Sequence, residues 1–138
     1  MTGNVKFADT SYWLVLSNSG DALHARVCLL ADVLDATLVT TDLVLAELGN
    51  SMAARTRRLL GARAIRRILS DPDVCIIYVN SELLAKAVQL YEARPDKDWG
   101  LTDCVSFVVM EERGIEEALA ADQHFIQAGF RALLLEAT

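Results

Sequence analysis

The sequence has few of the residues that cross-link a small protein. Its 138 residues contain three cysteines (Cys28, Cys75 and Cys104) and two histidines. The cysteines are odd in number and widely spaced, and no CxxC pair or zinc-type Cys–His spacing occurs. These absences exclude a disulfide scaffold and a zinc module. We expect free thiols, which are usual in a reducing compartment.

Long hydrophobic runs are also absent. The longest apolar stretches, such as residues 43–48 and 104–110, are too short to span a bilayer and include or adjoin an acidic residue. The first residues lack the basic start, apolar centre and cleavage site of a secretory signal. We therefore expect a cytoplasmic protein without a membrane-spanning segment.

Positive charge is scarce, with 13 Lys and Arg against 19 Asp and Glu and a formal net charge of −6. A protein that holds nucleic acid by its overall charge would carry the opposite sign. Any RNA contact must therefore come from a local basic patch or from bound metal. The candidate patch lies in residues 55–69, which contain no acid and place Arg63, Arg66 and Arg67 on one exposed helix face. A solvated surface is the alternative interpretation of that face.

Apolar residues are plentiful, at 53% of the chain, which is enough for one domain spanning residues 1–138. Short apolar segments bounded by turn residues predict strands at residues 5–8, 36–40, 74–79, 117–121 and 132–135. Amphipathic segments between them predict helices. This alternation predicts an α/β fold, a three-layer α/β/α sandwich around a mainly parallel sheet.

Capping residues and glycines predict where the helices begin and end. We predict that Thr10 or Ser11 caps a helix beginning at Tyr12, and that Ser81 and Thr102 cap two later helices. Asp21 is expected to open the second helix, and Thr41 with Asp42 to start the third. Gly61 is expected to divide the helix over residues 55–69 into two pieces. Gly114 is expected to end a buried helix that begins at Asp103.

Four acids occupy positions from which a metal site can be built. Asp9 and Asp122 follow predicted strands, and Asp103 begins a helix that should start from the same edge of the sheet. Ligands of parallel sheets bind beyond the carboxyl ends of the strands, so these three side chains are expected to be neighbours. Glu47 is the single acid within an apolar helix. Carboxylates are the ligands that Mg²⁺ and Mn²⁺ prefer.

Each acid also has a purely structural interpretation. Asp9 can be a helix cap, Asp103 can favour the positive end of a helix dipole, and Asp122 can be a turn residue. Glu47 can be the solvated position of an amphipathic helix. The two histidines, His24 and His124, are interpreted as structural. The residues alone leave these alternatives open.

Several segments, in their order and spacing, resemble the PIN-domain family. They are residues 7–11, 40–47, 101–104, 121–125 and 128–130. The resemblance implies an α/β/α fold and a metal-dependent ribonuclease similar to the VapC toxins of bacterial type II toxin–antitoxin pairs. It implies hydrolysis of RNA phosphodiesters to 5′-phosphate and 3′-hydroxyl products.

The same resemblance assigns roles to individual residues. It implies that Mg²⁺ or Mn²⁺ is held by the four catalytic acids, Asp9, Glu47, Asp103 and Asp122. It implies hydrogen-bonding support from the hydroxyl residues Thr10, Ser11 and Thr102. Ala120 departs from the threonine often found two residues before the last acid. The implied partners are an RNA substrate, a cognate antitoxin protein and a second copy of the chain.

Other functions remain as alternatives. A PIN-like nuclease that processes RNA, or a module that only binds a partner, would have the same fold. A receiver-type phosphoacceptor domain would need paired acids after the first strand, which Asp9 and Thr10 do not provide. A phosphatase of the haloacid-dehalogenase type would need an aspartate where this chain has Ser11.

Overall fold

The fold is built on one five-stranded sheet. The structure, a computed structural model, describes residues 4–136. The strands are β1 (Val5–Ala8), β2 (Thr37–Thr41), β3 (Val74–Ile77), β4 (Glu117–Leu119) and β5 (Arg131–Ala132). Their order is β3-β2-β1-β4-β5, and each neighbouring pair is parallel. The predicted parallel sheet is confirmed; residues 1–3 and 137–138 of the expected domain lie outside the described range.

Helices connect the strands. They are α1 (Thr10–Leu16), α2 (His24–Val33), α3 (Asp42–Ser51), α4 (Arg58–Ser70), α5 (Ser81–Ala93), α6 (Leu101–Arg113) and α7 (Gln123–Gln127). Right-handed crossovers in this strand order place α1 to α4 on one face of the sheet and α5 to α7 on the other. Contacts of α1 with α2 and α3, and of α5 with α6, agree with that division. The predicted three-layer sandwich is confirmed.

The strand order creates a crevice beside β1. The chain moves from β1 outward to β2 and β3, then returns to place β4 on the other side of β1. Connections therefore leave β1 and β4 towards opposite faces, which opens a space beyond their carboxyl ends. Asp9 directly follows β1, and Asp122 comes three residues after β4.

Helix α6 is the central element that the sequence predicted. Its apolar residues Cys104, Val105, Phe107, Val109 and Met110 are all buried. Gly114 ends the helix with a φ of 66°, a left-handed conformation that glycine adopts without steric cost. The prediction for the end of this helix is confirmed.

Four predicted helix starts are wrong. Asp9, not Thr10 or Ser11, caps the first helix, which begins at Thr10 instead of Tyr12. Asn80, not Ser81, caps α5 by accepting from the Leu83 N–H. Gly100, not Thr102, precedes the first turn of α6. Asp21 accepts from the Leu23 N–H, but α2 begins only at His24. Side-chain caps act over two or three residues, so a pattern of polar residues fixes a helix start only to within a turn.

The bounds of four strands and one helix break also differ from prediction. β2 covers Thr37–Thr41 instead of residues 36–40, and β4 ends at Leu119 instead of residue 121. β3 stops at Ile77, because the Val79 N–H donates to the Asp42 carboxylate instead of to a strand. β5 is only two residues long, and a 3₁₀ turn, Leu133–Leu135, follows it. The predicted break at Gly61 is wrong, since α4 is continuous through it.

The expectations about thiols and membranes can be compared with the described residues. Cys28 is half-buried, Cys75 exposed and Cys104 buried, and all three are free, as predicted. No helix among residues 4–136 has both the length and the apolar character needed to cross a bilayer.

Gly61 allows α4 to approach α3 closely, and this yields a stability prediction. A Cβ at Gly61 would lie 2.9 Å from the Met52 Cβ, inside contact distance. Overpacking costs about 1 to 3 kcal/mol, more than the roughly 1 kcal/mol of helix propensity that alanine adds. We expect Gly61→Ala to lower the free energy of unfolding, measured in urea, by about 1 kcal/mol. Ala62 is the next residue of α4 and is exposed, so Ala62→Gly measures the effect of helix propensity alone. A Gly61→Ala protein that is more stable than wild type would contradict the packing argument.

Candidate metal centre

Asp9 is the buried acid at the carboxyl end of β1. Its residue is 5% exposed, and its N–H donates to the Leu119 carbonyl of neighbouring β4 at 3.2 Å. The side chain caps α1, because its Oδ2 accepts from the Ser11 N–H at 3.3 Å and from the Ser11 hydroxyl at 2.8 Å. The strand and the helix start together fix this carboxylate at the edge of the sheet.

Burial makes the ionised form of Asp9 unfavourable. Loss of hydration raises the pKa of the Asp9 carboxyl from 3.8 to about 6, while the hydrogen bonds from Ser11 oppose the rise. The negative charge of Asp103 raises this pKa further, which indicates that the two carboxylates are electrostatically coupled. A cation beside Asp9 would remove both costs.

Asp103 lies in the first turn of α6. Its Oδ2 accepts from the Gly100 N–H at 3.0 Å, so the carboxylate folds back over the helix start. Burial raises the pKa of Asp103, and the charge of Asp122 adds to the rise. The hydrogen bonds from Gly100 and His124 lower it in part.

Asp122 and His124 complete a cluster with Asp103. Asp122 caps α7 by accepting from the His124 N–H at 2.9 Å. The His124 Nδ1 lies 3.2 Å from the Asp103 Oδ2 and 3.4 Å from the Asp122 Oδ1. One ligand atom from each of the three side chains lies within 4.8 Å of the others. Two carboxylate charges at that separation repel by roughly 3 to 4 kcal/mol at an effective dielectric of 20.

The donor set suits a divalent cation. Carboxylate oxygens form a hard donor set of the kind that Mg²⁺ or Mn²⁺ prefers, and the His124 ring lies beside them. A positive charge in the site would stabilise the buried, ionised carboxylate of Asp9, whose pKa is raised. It would also reduce the repulsion between the Asp103 and Asp122 carboxylates. The residues present therefore fit the metal that the sequence predicted.

Ser11 joins the two strand ends of the site. Its hydroxyl donates to Asp9 and accepts from the Ala121 N–H at 3.0 Å. Ala121 directly precedes Asp122, so one side chain sets the position of the β4–α7 turn relative to Asp9. The resemblance implied hydrogen-bonding support from Ser11, and its role in the site stays a prediction.

The other predicted supporting residues differ from one another. The buried Thr10 hydroxyl donates to the Val44 carbonyl of α3 at 3.5 Å, so Thr10 holds α1 to α3 rather than contacting an acid. Thr102 contributes its backbone carbonyl, which accepts from the Ser106 hydroxyl. No hydrogen bond from the Thr102 hydroxyl is present within the described chain.

Glu47 is not part of the cluster. It is exposed on α3, one helical turn beyond Val44, whose carbonyl contacts Thr10 next to Asp9. This places Glu47 on the helix that borders the Asp9 side of the site. Its role as a ligand stays a prediction.

His124 is a site residue that the sequence analysis interpreted as structural. Its signal was present in the spacing Asp-x-His at the start of a short helix. A residue two positions after an N-cap aspartate lies beside the capping carboxylate, and here Asp103 approaches from α6 as well. Only the tertiary fold brings in that second acid.

The arginine face lies elsewhere. Arg63, Arg66 and Arg67 are exposed, as predicted. Arg63 and Arg67 line a cavity of about 540 Å³, together with residues where β2 and β3 begin. That is the opposite end of the strands from Asp9. Contact between these arginines and RNA stays a prediction.

Comparisons with known proteins agree with this geometry. The sequence model of the PIN domain matches residues 6–131. This chain belongs to the PIN-domain family. The match spans the strands that carry Asp9 and Asp122 and the helices that carry Glu47 and Asp103.

Individual relatives of this PIN domain are toxins of the VapC type. The chain is 33% identical over 126 residues to the 23S rRNA-specific endonuclease VapC20 of two Mycobacterium tuberculosis strains, CDC 1551 / Oshkosh and ATCC 25618 / H37Rv. Each alignment covers 90% of this chain and 94% of the relative. The crystal structure of M. tuberculosis VapC20, described as a sarcin–ricin loop cleaving toxin, matches with a TM-score of 0.85 at 29% identity, covering 93% of this chain and 97% of the other.

The raised pKa of Asp9 predicts a specific pH dependence of stability. A carboxyl whose folded-state pKa is raised stabilises the fold only while it is protonated, so the benefit is complete below about pH 4 and is lost as the pH passes 6. In metal-free buffer, Asp9→Asn should therefore leave the unfolding free energy unchanged at pH 4 and raise it by about 3 kcal/mol at pH 7.

Chemical denaturation at the two pH values measures this difference. Asp35→Asn, an exposed acid before β2 at the opposite end of the sheet, is the matched control and should show no pH-dependent gain. An Asp9→Asn protein that is less stable than wild type at pH 7 would contradict the electrostatic account.

Proposed function

We propose that this PIN domain, over residues 1–138, is a Mg²⁺- or Mn²⁺-dependent endoribonuclease and the toxin of a type II toxin–antitoxin pair. The observation that carries the proposal is the meeting of acids from distant parts of the chain at one edge of the sheet. Asp103 and Asp122 lie within 4.8 Å through their ligand atoms, and Asp9 is coupled to Asp103. Family membership and the named activity of VapC20 support the same reaction class.

The residues that would hold the metal are Asp9, Asp103 and Asp122, with Glu47 from the bordering helix. A bound divalent ion supplies a water of lowered pKa for attack on the phosphodiester and neutralises charge that develops on the phosphate oxygens. With the metal present, the carboxyl of Asp9 remains ionised at neutral pH despite its burial. Ser11 keeps the Asp9 Oδ2 oriented through its hydroxyl and its N–H.

His124 orients the Asp103 and Asp122 carboxylates. In the tautomer protonated at Nδ1, its ring N–H donates to the Asp103 Oδ2 at 3.2 Å and also faces the Asp122 Oδ1. This keeps one oxygen of each acid on the same side of the ring. The remaining oxygens are then free to bind metal or water.

The relatives support a proposal for the RNA target. VapC20 is named as specific for 23S rRNA and as cleaving the sarcin–ricin loop. The alignment extends over 90% of this chain. We propose the same loop as the substrate of this PIN domain.

The partners and the location belong to the same proposal. A toxin of this type acts on cytoplasmic RNA and is held inactive by an antitoxin protein. We therefore propose a cognate antitoxin and action in the cytoplasm. The expected homodimer is also part of the proposal, and sedimentation of the purified protein measures it directly.

Removal of the Asp9 charge should abolish cleavage. We expect Asp9→Asn to reduce Mn²⁺-dependent RNA hydrolysis by at least 100-fold while the fold is retained, because a carboxamide replaces an anionic ligand. Glu47→Gln should reduce it as well if Glu47 is a ligand, and EDTA should stop the wild type. Asp35→Asn is the control. Equal cleavage by wild type and Asp9→Asn, with contaminating nuclease excluded, would refute the proposed function.

The substrate proposal predicts where the cut occurs. Incubation of the purified protein with intact ribosomes and Mg²⁺ should give one dominant cut in the sarcin–ricin loop, mapped by primer extension. Asp9→Asn on the same ribosomes shows which stops depend on the enzyme. Metal-dependent cleavage that is confined to other RNAs would support the proposed nuclease activity and contradict the proposed target.

A further inference from the structure

Trp99 and Gln127 connect two elements of the site from outside it. The Trp99 indole N–H donates to the Gln127 side-chain oxygen at 3.0 Å. Trp99 is 6% exposed and lies just before Gly100, where α6 begins. Gln127 is the last residue of α7, the short helix that begins after Asp122. The hydrogen bond therefore joins the α5–α6 loop to the far end of α7.

Trp99 is itself held firmly. Its ring meets the edge of Phe107 in α6, with the centroids 5.0 Å apart. On the loop side, the Arg94 guanidinium lies 5.2 Å from the centroid of the Trp99 ring, and Asp96 holds Arg94 through two hydrogen bonds. The indole N–H is thus a donor in a fixed position.

Helix α7 needs such an attachment. It has only five residues, too few to be stable alone, so its orientation depends on what it packs against. Phe125 is fully buried and packs against Phe7 and Phe107, which anchors the middle of the helix. The start of the helix is held through Ala121 and Ser11 and through His124 and Asp103. The Gln127 contact holds its other end.

The connection closes a ring of contacts that includes the one between Asp103 and His124. Gly100, next to Trp99, donates to the Asp103 carboxylate. Asp103 contacts His124, and the His124 carbonyl accepts from Ala128, which follows Gln127. Asp103 and His124 form one link between α6 and α7, and Trp99 and Gln127 form the other. A cation that draws Asp103 away from His124 would leave the second link in place.

We propose that Trp99 is a positioning residue that, through Gln127, holds α7 against the start of α6 and so sets the spacing of the Asp103 and Asp122 carboxylates for metal. This rests on the proposed function, because it concerns the metal ligands of that site. Trp99 and Gln127 act from outside the acid cluster and are not catalytic residues.

The test is a double-mutant cycle on Mn²⁺ affinity, measured without RNA by the EPR signal of free Mn²⁺. Trp99→Phe keeps an aromatic ring against Phe107 and removes the donor, and Gln127→Met removes the acceptor without touching the core. One hydrogen bond corresponds to about a 3- to 10-fold change, so each single variant should weaken Mn²⁺ binding by that factor. The double variant should be no weaker than the weaker single variant. Gln89→Met, at an exposed position of α5, is the matched control and should bind like wild type.

Hydrogen exchange of the metal-free proteins gives a second measurement. Amides of residues 123–130 should exchange faster in both single variants, while those of α5 should not change. Mn²⁺ affinities within 2-fold of wild type, or additive losses in the double variant, would overturn the positioning role and leave the nuclease intact. A wild type that binds no Mn²⁺ would overturn the proposed function and the positioning role together.

Discussion

The buried charge of Asp9 is the constraint on which the site depends. The carboxylate is enclosed at the end of β1, and the two hydrogen bonds from Ser11 do not compensate for its lost hydration, since its pKa remains raised to about 6. Asp103 adds repulsion instead of compensation. At neutral pH the ionised Asp9 therefore lowers the stability of the metal-free fold, and a bound divalent cation would remove that loss. Metal binding and loss of the Asp9 proton are therefore expected to be coupled.

The parallel sheet brings the acids of the site to one edge, and a few side-chain contacts fix their exact placement. Because β4 returns beside β1, the segments that follow these strands meet at one edge. The Ser11 hydroxyl fixes the turn after β4 relative to Asp9. On the other face, the aromatic cluster around Phe107 connects α6 to α7 through Phe125. The site thus lies between a hydroxyl contact on one side and aromatic packing on the other.

The net charge of −6 includes the acids of the site. Asp9, Asp103 and Asp122 lie at the carboxyl edge of the sheet, where metal would neutralise them. Helix α4 carries arginines and no acid, and Arg63 and Arg67 lie towards the start of β2 and β3. Strands of four or five residues span roughly 15 Å, so the two regions are separated by at least that distance. An RNA that contacts both the acids and these arginines would have to extend over that distance.

The sequence by itself determined the parallel α/β/α architecture, the buried character of α6 and three of the acids that meet or couple at the sheet edge, Asp9, Asp103 and Asp122. These features follow from local periodicity and from the rule that parallel strands end at one edge. Tertiary structure alone decided the remainder. His124 joins the cluster because α6 brings Asp103 against α7, and Gly61 lies within a continuous helix where it is in close contact with Met52. Such contacts join residues 9 or 21 positions apart, and spacing along the chain carries no information about which surfaces will touch.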